Sequence, residues 1–167
     1  MITSLGIDIG DTTGFLIAAW APGHRRAVQA QAFQCDRESA PDLLGWILAG
    51  YGDVIGYGQG EEFRDALPGR RLQGTRPAPI RAQQHELAAV AARYGLVLAW
   101  RPAANVKSWV QARDWARLKA AGLWDITAGQ PHARSAAWHC LYAAVHDGGL
   151  PDPLSRRVAG TARGEVG

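Results

Sequence analysis

The stretch Leu5-Gly6-Ile7-Asp8-Ile9-Gly10-Asp11-Thr12-Thr13-Gly14 constrains this chain more than any other. Ile7 and Ile9 alternate with Asp8 in the two-residue rhythm of a strand, so a core that takes the isoleucines leaves Asp8 on the opposite face or at the strand end. Gly10 and Gly14 permit a sharp turn, and Phe15-Leu16-Ile17-Ala18-Ala19-Trp20 reads as a second strand. The expectation is a hairpin with Asp8 near its edge. An acid in that place either caps the turn or does chemistry, and the motif alone fits both readings.

Two chemistries compete for it. The turn resembles that of actin-like sugar kinases and chaperone ATPases, whose backbone amides cradle a nucleotide phosphate. The strand is also similar to that of ribonuclease H-like nucleases, where a carboxylate holds Mg²⁺ for phosphodiester hydrolysis. An actin-like ATPase closes two domains around its nucleotide, and 167 residues make one domain of ordinary size. Length therefore favours the nuclease. With 47% hydrophobic and 20% charged residues the composition suits a globular α/β protein. A net charge of only +3 means that any nucleic-acid surface must come from local clustering. Cys35 and Cys140 stand alone, without zinc or redox spacing, and read as small buried hydrophobes in a reducing, cytoplasmic setting. No run approaches the roughly 18 apolar residues a membrane span needs, so no membrane partner is expected.

Ala27 to Cys35 reads as a third strand, and Ser39 with Asp42 as the capping signature of a helix ending near Gly50. Val54 to Tyr57 is strand-like and leads through glycines to Glu61 and Glu62, which point to opposite sides of an extended chain. Arg64 to Pro79, with Arg70, Arg71 and Arg76, is a basic loop suited to gripping phosphates, or simply solvated. A helix follows over Ile80 to Tyr94 with Gly95 as its left-handed cap, then a strand at Leu96 to Trp100. Pro102 ends that strand, a short helix beginning near Ala103 offers Lys107 from its surface, and Asp114 to Ala121 forms further helical turns. The last helix opens at Pro131, runs towards Val145 and lines up His132, Ser135 and His139. Residues 1–147 form the expected domain, and 148–167 a flexible tail. Strand hairpin, helix, strand, helix, strand describes an α/β mixed sheet flanked by helices.

Four pieces in this order resemble the RuvC-like Holliday junction resolvases of the ribonuclease H-like superfamily, in particular the short versions carried by actinobacterial phages. They are D-x-G-x-T-T-G at Asp8 to Gly14, Glu61 with Phe63, P-A-x-x-V-K at Pro102 to Lys107, and H-A-R-x-A-A-x-H at His132 to His139. The resemblance implies a ribonuclease H-like fold with a mixed five-stranded sheet, a homodimer whose interface candidates are the apolar residues of the Ile80 to Tyr94 helix, and Mg²⁺-dependent nicking of four-way or other branched DNA, with Mn²⁺ able to substitute. A phage-encoded protein of this kind works in the host cytoplasm. Carried over by position, Asp8 matches the first metal-binding carboxylate, Glu61 the second, with Glu62 as the alternative, Lys107 a lysine near the scissile phosphate, and His132 the histidine opening the last helix, which joins the two acids as a metal ligand. Arg70, Arg71, Arg76 and Lys107 are the expected DNA contacts. The family's aspartate three residues after His132 is Ser135 here, which removes one anionic metal ligand. Either Ser135 holds a metal-bound water, with His132 doing more of the work, or the metal binds weakly and the protein binds junctions with little cleavage; Asp11, Glu62 and Asp125 are the candidates for a substitute acid.

Overall fold

The computed structural model describes residues 1–62 and 77–155. Arg70, Arg71, Arg76, Phe63 and the chain beyond Ser155 lie outside the described residues. Strands β1 (Ile2–Asp8), β2 (Thr12–Trp20), β3 (Gln29–Asp36), β4 (Tyr57–Glu61) and β5 (Leu98–Arg101) form one sheet in the order β3-β2-β1-β4-β5. The β1/β2 and β2/β3 pairs are antiparallel, whereas β1/β4 and β4/β5 are parallel. Helices α1 (Ala40–Tyr51) and α2 (Pro77–Arg93) pack on one face, and α3 (Ala103–Ala121) and α4 (Pro131–His146) on the other. The expected mixed α/β sheet flanked by helices is the observed one.

Strand β2 is buried almost throughout because both faces are covered. Phe15 and Ile17 join Leu5, Ile7 and Leu44 on the α1/α2 side, while Leu16, Ala18 and Trp20 join Val110, Leu118 and Leu141 on the other. Full burial of each such side chain contributes about 1.5–3 kcal/mol before entropy is counted.

Four details depart from the sequence-based expectations. Ser39 does not cap α1, since its own φ/ψ are helical; the Asp36 carboxylate instead accepts the Ser39 N–H at 2.7 Å, and the Ser39 side chain, together with that backbone bond, holds Asp36 below the usual carboxylate range. The fourth strand begins at Tyr57, where Val54 to Tyr57 was expected, and Val54 is 61% exposed. It is poor in apolar residues because its neighbours fill the space: a Cβ on Gly58 would meet Leu98 and Leu96, and one on Gly60 would meet the Trp100 ring at 2.2 Å. Helix α2 starts three residues before Ile80, and its Leu87, Val90 and Ala91 turn into the protein's own core. Those side chains are thus not free for a dimer interface, and outward-facing apolar positions on α2 are the alanines Ala82, Ala89 and Ala92. Finally, α3 is broken at Ala112–Trp115, where Arg113, Asp114 and Trp115 have φ of 59°, 53° and 63°. Left-handed residues other than glycine cost about 1–2 kcal/mol each.

Candidate active site

The position of α4 decides where the chemistry can be. Gly14 on β2 lies so close to the helix that a Cβ would come within 2.1 Å of the His132 carbonyl oxygen, and a Cβ on Gly6 within 1.9 Å of that of Ala136. Two strand glycines and the buried Ala133, Ala136, Ala137 and Cys140 therefore let the helix axis drop onto the sheet. Its N-terminus is capped from outside: the Gln34 Oε1 on β3 accepts the N–H groups of His132 at 2.8 Å and Ala133 at 3.2 Å. Gln34 is the register partner of Gly14, so the missing side chain on one strand opens the path for the amide on the next.

His132 is thereby placed at the C-terminal end of β1, where its Nδ1 donates to Asp8 Oδ2 at 3.0 Å. Asp8 is only 7% exposed. The parallel pairing of Ile7 with Gly60 brings Glu61 alongside, and its carboxyl hydrogen-bonds that of Asp8. It is Glu61 that reaches Asp8; Glu62 lies past the strand end, with its N–H on the Arg101 carbonyl at 2.8 Å. Burial of the pair raises both carboxyls, Asp8 to about 6 and Glu61 to about 8. The hydrogen bond between them pulls Asp8 down and pushes Glu61 up, so the pair holds a proton between its two carboxyls. His132 and Lys107 oppose the rise at Glu61, which places the exposed Lys107 within electrostatic reach of Glu61.

The β1–β2 turn is held from below by a residue that the sequence patterns did not reveal. Gln83 on α2 is 2% exposed; it accepts the Gly10 N–H at 3.2 Å and donates to the Thr13 hydroxyl at 2.5 Å. Gln83 and Gln34 were invisible because glutamine in a helix or at a strand end carries no signal of the partner it will meet. Other expected residues fall elsewhere. Ser135, one turn after His132, donates its hydroxyl to the Pro131 carbonyl at 3.3 Å. The Asp11 side chain is 91% exposed and paired with Arg37, Asp125 is exposed at the start of a 3-10 turn, and neither is among the groups that shift Asp8 or Glu61. His139 is fully buried and bonded to Gln59, so the stripe of two histidines serves two different places.

The architecture matches known structures closely enough to be identified. The Thermus thermophilus RuvC structure solved in complex with Holliday junction substrate is similar over 87% of this chain and 97% of its own, with a TM-score of 0.60 and 15% sequence identity. The fold is the ribonuclease H-like fold of RuvC. A second Thermus thermophilus RuvC structure gives a TM-score of 0.57 at 16% identity, covering 89% of this chain and 98% of that one. No family model matches the chain, and no curated protein matches it in sequence. Within this RuvC fold, no group of three or more His, Cys, Asp or Glu side chains among the described residues is arranged to hold a metal ion. No described helix is long and apolar enough to cross a membrane.

Proposed function

We propose that this protein is a structure-selective endonuclease of the Holliday junction resolvase type, which nicks four-way or other branched DNA with Mg²⁺, or with Mn²⁺ in its place. The observation that carries the reading is the buried Asp8–Glu61 carboxyl pair at the end of β1 and β4, with His132 bonded to Asp8. Two acids that burial pushes this far up are a costly arrangement in a merely structural role, and they become favourable when a cation replaces their shared proton. The donor chemistry suits a hard cation. Mg²⁺ is commonly held through one or two carboxylates while keeping several waters, so Asp8 and Glu61 suffice without a closed protein cage. When bound, Mg²⁺ activates water and stabilises the leaving oxygen.

The chain's own residues supply the rest. Asp8 orients the His132 ring through Nδ1, which leaves Nε2 to take or give a proton at the phosphodiester. Lys107 offers a cation to the phosphate beside the acids, and Arg70, Arg71 and Arg76 belong to the proposed DNA grip. Paired nicks on opposing strands call for two sites related by a two-fold axis, so the active form is a homodimer. The catalytic domain spans 1–147, and the host cytoplasm is its place if a phage encodes it. The similarity to nearly the whole RuvC chain supports this reading over an actin-like nucleotide-binding fragment.

Ser135 favours one second reading. A neutral hydroxyl stands where the resembling family carries an aspartate, which fits a junction-binding protein of the same fold with impaired cleavage. One gel assay separates them: a labelled four-way junction and a linear duplex, each in Mg²⁺ and in EDTA. Metal-dependent paired nicks in the junction alone are expected; retarded but uncut junction supports the binder, and no junction preference rejects both.

A further inference from the structure

The α3/α4 side carries a second surface that the nuclease site does not use. Trp115 stacks on Trp138 with ring centroids 5.4 Å apart and planes 29° from parallel, and meets Trp124 at 5.6 Å. All three are only partly buried. Cations ring them: Lys107 lies 5.8 Å from the Trp138 centroid, Lys119 5.2 Å and Arg134 4.0 Å from that of Trp124. A row of indoles that served only as a side core would need neither these cations nor the left-handed run Arg113–Trp115 that breaks α3 immediately before the Trp115 ring. Between Ala103 and His146 five Lys and Arg face two Asp, so this segment holds a positive charge equal to that of the whole chain.

Lys107 joins this surface to the site, since it rests on Trp138 and also acts on Glu61. We propose that Trp115, Trp124 and Trp138 form a shelf on which unpaired bases of branched DNA stack beside the site of cleavage, while the exposed Lys107 and Lys119 hold the phosphates and Arg134, bonded to Thr127 and the Trp124 carbonyl, fixes the Trp124 ring. The inference rests on the nuclease reading. Every base has a π-face, so stacking is tolerant of sequence, and single strands are bound by just this pairing of aromatic platforms with a basic track. A cation over an exposed indole is held weakly, which leaves the exposed Lys107 and Lys119 free to pass from ring to phosphate.

The test is fluorescence anisotropy with a labelled oligothymidylate of about a dozen nucleotides, a duplex of equal length, and a four-way junction. Trp115→Leu is expected to weaken oligothymidylate binding at least about fivefold, the lower bound for losing one stacked base, and to spare the duplex. Lys119→Glu, at an exposed position, should weaken the same binding, whereas Trp46→Phe on the α1 side should leave it unchanged. Both variants binding the oligonucleotide like wild type, with intact circular dichroism, would overturn the shelf. Should Trp115→Leu fail to fold, Lys119→Glu alone decides. Wild-type cleavage of the junction with no loss of single-strand binding in the variants sinks the shelf and keeps the nuclease. Single-strand binding that depends on Trp115 in a protein that never cuts a junction does the reverse.

Discussion

Helix α4 presents two histidines to the ends and middle of the same strands, and the two clusters they build differ in one respect that matters. His132 meets Asp8 and, through it, Glu61, two buried acids that share a proton where a cation could sit. His139, seven residues on, accepts a bond at Nδ1 from Gln59 at 2.8 Å, and Arg101 donates to the other end of the same amide while gripping Asp147 at 2.7 and 2.8 Å. Burial, with help from Arg101, pushes His139 down to about 4, so it is neutral and its Nε2–H finds no partner among the described residues. The inner cluster is thus nearly closed in itself, and the outer one is open to a cation and a substrate. A polar cluster becomes a candidate site when its charges are left for a ligand to complete.

The sharpest way to break that contrast is Asp8→Asn. It should lower junction cleavage roughly a thousandfold, since a metal centre supplies several kcal/mol of barrier reduction, and leave junction affinity equal or higher because a negative charge near phosphates is gone. Cleavage at the wild-type rate in a single-turnover assay would remove Asp8 from the chemistry. Gln59→Leu tests the inner cluster: it strands His139 Nδ1 and one Arg101 donor, which should destabilise the fold by about 1–3 kcal/mol. Thermal denaturation should show the loss, with the Mg²⁺ dependence of cleavage unmoved; a shifted Mg²⁺ requirement would mean that the two clusters act as one.

Smaller effects sharpen the outer cluster. Ser135→Asp adds an anion one turn from His132, and a gain of about tenfold in nicking rate, worth about 1.4 kcal/mol, is expected together with half-saturation at lower Mg²⁺. An unchanged Mg²⁺ titration would show that the site is already complete. The pH dependence of stability supplies the last test. Glu61 is raised from its ordinary 4.5 to about 8 in the fold, so between these values the folded state binds more protons than the unfolded chain, and stability falls as pH rises. Glu61→Gln keeps a donor for Asp8 and removes that titration. Its Tm relative to wild type should be near zero difference at pH 4 and rise by about 2–6 °C by pH 8 in metal-free buffer. A difference that is flat across this range would refute the shared proton.

The elements themselves were largely legible. The hairpin around Asp8, the proline-led last helix and the glycine-capped α2, whose Gly95 has φ of +74°, follow from local rules of turns and caps that need no partner. The fourth strand was misplaced because its periodic signal is absent: Tyr57-Gly58-Gln59-Gly60-Glu61 has glycines where other residues' side chains sit and a glutamine buried in a polar network. The cap of α1 went to Asp36 because Ser39 was drawn into the helix itself.

By itself, then, the sequence determined the order of elements and put an acid at the end of the first strand, since both depend on neighbours a few residues apart. The placing of Glu61 rather than Glu62 beside Asp8, the separation of His132 from His139, and the holding of the α4 N-terminus by Gln34 and of the β1–β2 turn by Gln83 were decided only by the tertiary structure. Each depends on which strand lies alongside which and how closely a helix can approach two glycines, distances between residues some 50 to 125 positions apart that no local pattern encodes.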